Sequence, residues 1–296
     1  MSAESFAIRG RTAFITGAAR GIGAATAERL HARGANVVLV GLEPERLAAL
    51  AERLGPDRTL WVEADVTDFD ALRRAVHAAV ERFGGIDIAI VNAGLAFTGT
   101  LANAPVEQVE RTLAVNFLGV WRTDRAVIEQ ITARRGYLLN IASLSAVAHA
   151  PLMGPYTATK AGVEALTDAL RTESAPSGAR VGCAYFGFID TDLVKASYAQ
   201  PAAQRVNERT PAFLRDPIPV ARAVDAIERG IERRSARVWA PRWVGPMIVL
   251  RGLLQPLLER RSLQDQASLI ESMRLADDAE DEHDPLLGVA AAIRRP

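Results

Sequence analysis

Short apolar runs alternate with longer stretches of helical periodicity along the first 240 residues. Runs with the length of buried strands cover residues 12–15, 36–40, 59–63, 86–91, 137–141 and 180–185, with a last one near Val238. Between them, apolar residues recur at helical spacing, as in residues 69–83 and 220–233. The alternation predicts one doubly wound α/β domain with a mainly parallel sheet and helices on both faces.

A glycine-rich turn follows the first run. Residues 16–23 read TGAARGIG, and an Ala-rich helical pattern continues through Arg33. Glycines allow positive φ and let a pyrophosphate approach backbone N–H groups at a helix N-terminus. This strand–turn–helix context predicts a dinucleotide site that contains Thr16, Gly17, Arg20, Gly21, Ile22 and Gly23. A glycine turn without a ligand is the weaker alternative.

The end of the second run bears on the ribose of such a cofactor. An acidic residue there favours a free 2′-hydroxyl, whereas an Arg accommodates a 2′-phosphate. Here Gly41 and Leu42 are neutral and Glu43 comes slightly late, while Arg20 could reach a phosphate from the glycine turn. We therefore predict that NAD binds at least as well as NADP.

Polar and small residues also follow the third and fourth runs. Asp65 stands at a strand end, and Asp68 is the better candidate to cap the next helix, which leaves Asp65 for another task. Residues 92–94 read NAG, where small residues would admit a flat ring or ribose. Asn116 lies among apolar neighbours in a long helical stretch from Val106 to about Arg134 and, alone, is more often a satisfied core amide.

A serine, a tyrosine and a lysine form the candidate chemistry. Ser143 follows the fifth run, at the edge where open α/β sheets bind ligands, and Pro155 can begin a helix with Tyr156 and Lys160 one turn apart. A nearby ammonium would lower the pKa of the phenol, which could then exchange a proton with a carbonyl or alcohol oxygen held by Ser143. An ordinary exposed helix pair is the alternative for Tyr156 and Lys160.

Composition narrows the class of protein. The 296 residues are 49% hydrophobic and 24% charged, with 35 basic and 35 acidic residues, so charge gives no argument for a nucleic-acid partner. Cys183 is the only cysteine and falls in an apolar run, so no internal disulfide forms. We expect a cytoplasmic enzyme, since the N-terminus lacks an apolar signal core and no run of eighteen apolar residues predicts a membrane span. We expect no metal.

With these motifs placed, residues 11–239 resemble the short-chain dehydrogenase/reductase family. The resemblance implies a Rossmann-type domain of seven strands, in which Asn116, Ser143, Tyr156 and Lys160 form the catalytic tetrad. It also implies cofactor contacts from residues outside the glycine turn: Asp65, Val66, Asn92, Ala93, Gly94, Tyr156, Lys160, Ile189 and Thr191. Glu43, at the end of the second run, is a further candidate from its position and charge. Two positions depart from the family pattern, because Val91 replaces an Asn and Phe186 replaces a Pro.

The activity that the resemblance implies is hydride transfer between a nicotinamide cofactor and an alcohol or ketone. Asn116 would maintain a proton relay through a water to Lys160, and Lys160 would also bind the nicotinamide ribose. Substrate contacts are expected from Ser143, Ser145, Tyr156 and Phe188. A catalytically silent dinucleotide-sensing protein on the same fold is the alternative. A stripe of small residues in the helix of Tyr156 favours a homodimer or homotetramer, as the family does.

Two segments lie outside the core pattern. Residues 189–219 are predicted to form a loop-rich substrate lid, and residues 241–296 a helical extension of the domain 1–240 rather than a domain of their own. Pro256 predicts two short helical pieces or a kink, and the acidic stretch from Ala276 is expected to be partly disordered or draped over a neighbour.

Within the extension, a stripe of Leu250, Leu253, Leu254 and Leu257 is expected to be buried. Packing on the protein's own core or on a partner subunit is one interpretation. A wall over the substrate mouth, formed with Trp239 and Trp243 and favouring a lipophilic substrate, is the second. An interfacial membrane contact is the third.

Overall fold

The computed structural model describes residues 5–208 and 212–282. Seven parallel strands form one sheet in the order β3-β2-β1-β4-β5-β6-β7. The strands are β1 Thr12–Thr16, β2 Asn36–Gly41, β3 Thr59–Glu63, β4 Ile88–Val91, β5 Tyr137–Ile141, β6 Arg180–Phe186 and β7 Arg237–Ala240. The predicted doubly wound α/β fold with a seven-stranded sheet is confirmed.

Helices cover both faces of this sheet. They are α1 Gly21–Ala32, α2 Pro44–Leu54, α3 Phe69–Phe83, α4 Val106–Leu113, α5 Gly119–Ala133, α6 Gly154–Ser174, α7 Asp192–Ala199, α8 Pro201–Glu208, α9 Ala212–Arg215, α10 Val220–Arg233, α11 Val244–Gln264 and α12 Gln266–Glu282. A π-helical turn, Ala114–Leu118, joins α4 to α5, and a 3₁₀ turn, Leu144–Ala146, follows β5.

Two apolar layers hold the helices against the sheet. Successive strand residues point to opposite faces, so Ile15 enters the layer that also contains Leu30 and Ile227, whereas Phe14 enters the layer with Val127 and Val163. Strands buried on both faces read as continuous apolar runs rather than as alternating patterns. The strand predictions from sequence depend on this property.

The strand order reverses between β1 and β4, which are hydrogen-bonded neighbours. In open α/β sheets a crevice forms at the carboxyl ends of the strands at such a point. The register pairs Ile15 with Ile90, so the residues after β1 and those after β4 leave the sheet side by side. The glycine turn and the 92–94 segment therefore share one edge.

The segment after β6 differs from the prediction of a loop-rich lid. It contains the short helices α7, α8 and α9 within the described residues. The prediction was wrong because α7 and α8 are only eight residues each and mixed in polarity. Such a pattern gives weak periodicity, although Thr191 caps α7 by accepting a hydrogen bond from the Val194 N–H at 3.4 Å.

The extension also differs from its prediction. Pro256 lies inside one helix, α11, so the division into two helical pieces is wrong. The leucine stripe does not pack on the core: Leu250, Leu253 and Leu257 are exposed, and Val244, Gly245 and Ile248 are buried instead. The cause is that the polar side of α11 faces the domain, where Arg251 and Gln255 find partners.

The second helix of the extension, α12, packs along α8 of the lid region. Ala276 joins Leu152 and Ala202 in a small apolar cluster, and the Asp277 carboxylate accepts hydrogen bonds from Thr100 at 2.6 Å and Asn103 at 2.8 Å. The expectation of disorder or a neighbouring partner for the acidic stretch mainly concerns residues 283–296, which lie outside the described residues. The division at 240/241 stays a prediction.

Candidate active site

The glycine turn is closed by contacts that leave no room for side chains. Gly17 and Gly21 have φ of 64° and 57°, in the left-handed region. A Cβ on Gly23 would lie 2.2 Å from the Gly17 carbonyl oxygen. Asn92 reinforces the turn, because its side-chain amide donates to the carbonyls of Thr16 at 3.1 Å and Gly17 at 3.2 Å. Only glycine fits at position 23.

The Thr16 hydroxyl ties the turn to β4 by accepting the N–H groups of Asn92 at 3.0 Å and Ala93 at 3.2 Å. Helix α1 then begins at Gly21 with no side chain capping it and no acidic residue in its first turn. Its first N–H groups thus have no side-chain cap, which is the condition for binding an anion at a helix N-terminus.

Arg20 and Glu43, for which the sequence predicts opposite effects on cofactor choice, form an ion pair at 3.5 Å. Their pairing places the end of β2 next to the glycine turn. Beyond β3, Asp68 caps α3 by accepting the Ala71 N–H at 3.0 Å, as predicted. Asp65 is not wholly free, because one carboxylate oxygen accepts the Thr67 N–H at 2.8 Å. The side chain of Val66 is buried.

Asn116 lies in the π-helical turn and is fully buried. Its side chain accepts the Leu95 N–H at 2.7 Å and donates to the Leu95 carbonyl at 2.8 Å. The side-chain amide of Asn116 thus has hydrogen-bond partners within the protein, as an ordinary core Asn does. It is also close to the site, because a Cβ on Gly94 would lie 3.3 Å from its Oδ1 and 3.6 Å from the Lys160 ammonium nitrogen.

Ser143 and Tyr156 are brought together from the end of β5 and the first turn of α6. Their side chains share a hydrogen bond, which lowers the pKa of Tyr156, but burial of the phenol has the larger effect and raises that pKa overall. Ser143 also accepts the Ser145 N–H at 3.1 Å, which fixes the 3₁₀ turn after β5.

Lys160 lies beneath the tyrosine, with its nitrogen 5.7 Å from the centre of the Tyr156 ring. It donates to the Ile141 carbonyl at 2.9 Å, and burial lowers its pKa to about 8. The exposed-pair alternative is therefore wrong for Lys160, which is buried. Burial of the phenol is the largest influence on the tyrosine pKa in this structure, and the ammonium nitrogen is hydrogen-bonded to the Ile141 carbonyl. That Lys160 lowers this pKa stays a prediction.

The residues after β6 reach the same edge of the sheet. Thr191 contacts the glycine turn, because a Cβ on Gly21 would lie 3.5 Å from its methyl group, and Ile189 is buried. The Phe188 ring packs edge-on against Tyr198 of α7, with centroids 5.2 Å apart. Phe186, which stands where the family has Pro, ends β6 and is buried.

Some residues that shape the site and its surroundings belong to no sequence motif and were not predicted from the sequence. The Ile141 carbonyl contacts Lys160 through its backbone, so no side chain identifies it. Tyr198, and Thr100 with its partner Asp277, join the lid region and the extension to the site's surroundings. Among the described residues, no cluster of three or more His, Cys, Asp or Glu is arranged to hold a metal ion.

A seven-stranded parallel sheet with a glycine turn and a Ser–Tyr–Lys cluster at its carboxyl edge defines the class of nicotinamide-dependent oxidoreductases that act on alcohols and ketones. The comparisons with known proteins agree. The chain matches the short chain dehydrogenase family over residues 11–202 and belongs to it.

Characterised relatives include the trans-4-hydroxycyclohexanecarboxylate dehydrogenase of Sinomonas cyclohexanicum, 35% identical over 201 residues, which cover 65% of this chain and 78% of that protein. The 2-(R)-hydroxypropyl-CoM dehydrogenase of Xanthobacter autotrophicus is 35% identical over 198 residues, covering 64% of this chain and 79% of that protein.

Solved structures resemble the chain over a larger share of its length. Levodione reductase superposes with a TM-score of 0.73 at 25% identity and covers 81% of this chain and 98% of its own. The 3-ketoacyl-(acyl-carrier-protein) reductase of Brucella melitensis, solved in complex with NADH, gives a TM-score of 0.69 at 26% identity and covers 79% of this chain and 97% of its own.

Proposed function

We propose that this protein is an NAD(P)-dependent dehydrogenase/reductase that interconverts a lipophilic secondary alcohol and its ketone, with Tyr156 as the acid/base. The observation that carries the proposal is the cluster of Ser143, Tyr156 and Lys160 beside Gly94. Two of the relatives are named for secondary alcohols, one a 4-hydroxycyclohexanecarboxylate and the other a compound with a 2-hydroxypropyl group.

The glycine turn fits a nicotinamide dinucleotide, because Gly17, Gly21 and Gly23 present bare backbone beside helix N–H groups that no side chain caps. When bound, the cofactor supplies or accepts a hydride at the substrate carbon. The residues proposed to hold it are Thr16, Gly17, Arg20, Gly21, Ile22, Gly23, Glu43, Asp65, Val66, Asn92, Ala93, Gly94, Tyr156, Lys160, Ile189 and Thr191.

Tyr156 handles the proton at the substrate oxygen. Because burial raises its pKa, the phenol carries its proton at neutral pH and can donate it to a carbonyl oxygen. Ser143, hydrogen-bonded to the phenol, is placed to orient the same oxygen. In alcohol oxidation the phenol must first lose its proton.

Lys160 and Asn116 are proposed to assist the proton transfer by Tyr156. With a pKa of about 8, Lys160 is mostly cationic at pH 7 and gives the buried site a positive charge beneath the tyrosine. Asn116 fixes both backbone groups of Leu95, which holds the segment after β4 against Lys160. The π-helical turn takes carbonyls out of the regular α-helical ladder, and such turns are frequent at functional sites.

The test of function is turnover of a panel of secondary alcohols and ketones, followed by cofactor absorbance. Tyr156→Phe should lower kcat by about 10²- to 10⁴-fold, the usual size of a general acid–base contribution. Tyr185→Phe, at a buried tyrosine of β6, is the matched control and should keep kcat. If the wild type binds cofactor but turns over no member of a broad panel, a dinucleotide-sensing protein replaces the enzyme.

Cofactor choice is proposed to favour NAD weakly. Arg20 is already paired with Glu43, so a 2′-phosphate near Arg20 would also lie near a carboxylate. Titration of both reduced cofactors measures the preference, and a preference for NADPH above tenfold, about 1.4 kcal/mol, would contradict the proposal. Glu43→Gln should raise NADPH affinity relative to NADH affinity.

A lipophilic substrate is proposed because α12 adds a second layer over the lid region. The contacts that support it are the cluster of Leu152, Ala202 and Ala276 and the bonds of Asp277. Truncation after Asp265 should weaken the affinity for bulky apolar ketones and leave the affinity for small ketones unchanged. Ile270→Ala, at an exposed position of α12, is the control. Equal effects on small and bulky ketones would contradict the proposal.

A homodimer or homotetramer is proposed as the working form. Apolar side chains are exposed on Leu113, Leu118 and Trp121, at the end of α4 and the start of α5, and small residues such as Ala158 and Ala165 are exposed on α6. These surfaces suit helix packing between subunits. Light scattering after size-exclusion chromatography should give two or four chain masses, and a single chain mass would contradict the proposal.

A further inference from the structure

Helix α11 turns its apolar side away from the protein. Val249, Leu250, Leu253 and Leu257 fall within about 100° of the helix circumference, at 100° per residue. They are 77%, 45%, 71% and 61% exposed. We call these four residues the outer face of α11. A contiguous exposed apolar surface of this kind marks an interaction site rather than a solvated one.

The orientation of α11 is set by its other side. Arg251 donates to the buried Glu164 carboxylate at 2.6 Å, and Gln255 exchanges hydrogen bonds with the backbone of His149 at 2.9 and 3.3 Å. Glu164 is in turn the acceptor for the Tyr185 hydroxyl at 2.8 Å. Rotating α11 to bury its leucines would break these bonds and leave Glu164 buried without a cation.

The charged residues near the ends of α11 indicate which kind of partner binds the outer face. Arg242 precedes the helix and Arg260 and Arg261 lie at its far end; all three are exposed, and none forms an ion pair within residues 5–208 and 212–282. The only acidic residue of α11, Glu259, lies about 100° or more from all four outer-face residues except Val249, and it accepts a hydrogen bond from Gln255 at 3.1 Å. The outer face is therefore apolar, with one exposed arginine shortly before α11 and two near its C-terminal end.

A second copy of the chain is a poor complement to this surface. Two-fold antiparallel pairing of α11 would bring Arg242 of one copy near Arg260 and Arg261 of the other, and the outer face carries no carboxylate to compensate. An anionic lipid surface complements both features, because acyl chains accept the leucines and headgroups accept the arginines, whose long side chains can reach out from an apolar helix face.

We propose that the outer face of α11 docks the protein onto anionic membrane surfaces as a peripheral contact. No helix in the described part of the chain is long and apolar enough to cross a bilayer, so the contact is interfacial. Two acidic residues of α12 are already engaged: Glu271 is paired with Arg274 at 2.9 Å, and Asp277 is turned toward Thr100 and Asn103.

The test is flotation of the full chain with vesicles of phosphatidylglycerol and phosphatidylcholine, compared with vesicles of phosphatidylcholine alone. We expect binding to the anionic vesicles only, with loss at about 1 M salt, where the Debye length falls to about 3 Å. Leu253→Glu with Leu257→Glu should weaken binding at least tenfold, as should Arg260→Glu with Arg261→Glu. Val106→Glu, at another exposed apolar position, is the matched control and should bind as the wild type does.

Two further measurements make the result unambiguous. Thermal unfolding and turnover of a water-soluble ketone should be unchanged in every variant, because the altered side chains are exposed and none of them belongs to the Ser143–Tyr156–Lys160 cluster. Absence of vesicle binding, or binding that the leucine variants leave unchanged, would overturn the proposal. A leucine variant that changes only the oligomeric mass would overturn it in favour of a second copy.

Discussion

A carboxyl group buried beneath the active-site strand should make the stability of this protein depend on pH. Asp124 of α5 is 5% exposed, and its Oδ2 accepts a hydrogen bond from Asn140 of β5 at 2.9 Å. Its Oδ1 and the Oδ1 of Asn140 have no partner. Burial is the larger influence and raises the pKa of Asp124 to about 7, whereas the bond from Asn140 lowers it.

The sign follows from the proton balance. The unfolded chain has Asp124 near its ordinary pKa of 3.8, so between that pH and about 7 the folded protein binds more protons than the unfolded one. The neutral carboxyl therefore stabilises the fold fully below about pH 4, and the contribution is lost as pH rises through about 7. About three pKa units correspond to about 4 kcal/mol in total, of which about 2.5 kcal/mol falls between pH 5 and pH 8.

Asp124→Asn removes the titration while keeping the shape of the protonated side chain. We expect the free energy of unfolding of the wild type, relative to the variant, to fall by about 2.5 kcal/mol from pH 5 to pH 8. Urea unfolding at one fixed protein concentration, followed by tryptophan fluorescence, measures this difference. Asp57→Asn, at an exposed position, is the control and should follow the wild type. A wild-type minus Asp124→Asn difference that does not vary with pH would refute the reasoning.

Further predictions concern the turn, the tyrosine and the anchor of the extension. Gly23→Ala should abolish cofactor binding, since its Cβ would lie 2.2 Å from a carbonyl of the turn; unchanged affinity in calorimetry would contradict this. Ser143→Ala should raise the pKa of Tyr156, because the bond from Ser143 lowers it. The increase of kcat/KM for alcohol oxidation with pH should then occur at higher pH, which a pH profile measures. Tyr185→Phe should cost about 1–3 kcal/mol in urea unfolding by removing the 2.8 Å bond to Glu164, and no loss would count against that bond.

Much of the fold could be predicted because each strand buries both of its faces. Val37 to Val40 are all fully buried. A short continuous apolar run between two helical patterns is typical of a parallel strand that is buried on both faces. The glycine turn could also be predicted from the sequence, because the positive φ of Gly17 and the close approach of Gly23 to the Gly17 carbonyl require glycine. Local sequence determines such features.

Features that depend on distant partners could not be predicted. A helical wheel separates Leu253 from Arg251 but does not say which side faces the domain. Glu164 decides it, and Glu164 lies 87 residues away in the sequence. The raised pKa of Tyr156 depends in the same way on burial, which spacing to Lys160 does not report. The π-helical turn around Asn116 has no sequence signature in the pattern from which the long helix was predicted.

The extension connects the docking surface to the lid region. Helix α11 is fixed to α6 by Arg251 and Glu164, and α6 also carries Tyr156. Only Asp265 separates α11 from α12, which packs along α8. A surface that holds the outer face of α11 therefore also restricts how far α12 can move from α8. By our two proposals, access for a lipophilic ketone past the lid region depends on the same helix pair that holds the protein at the membrane, where such a substrate partitions.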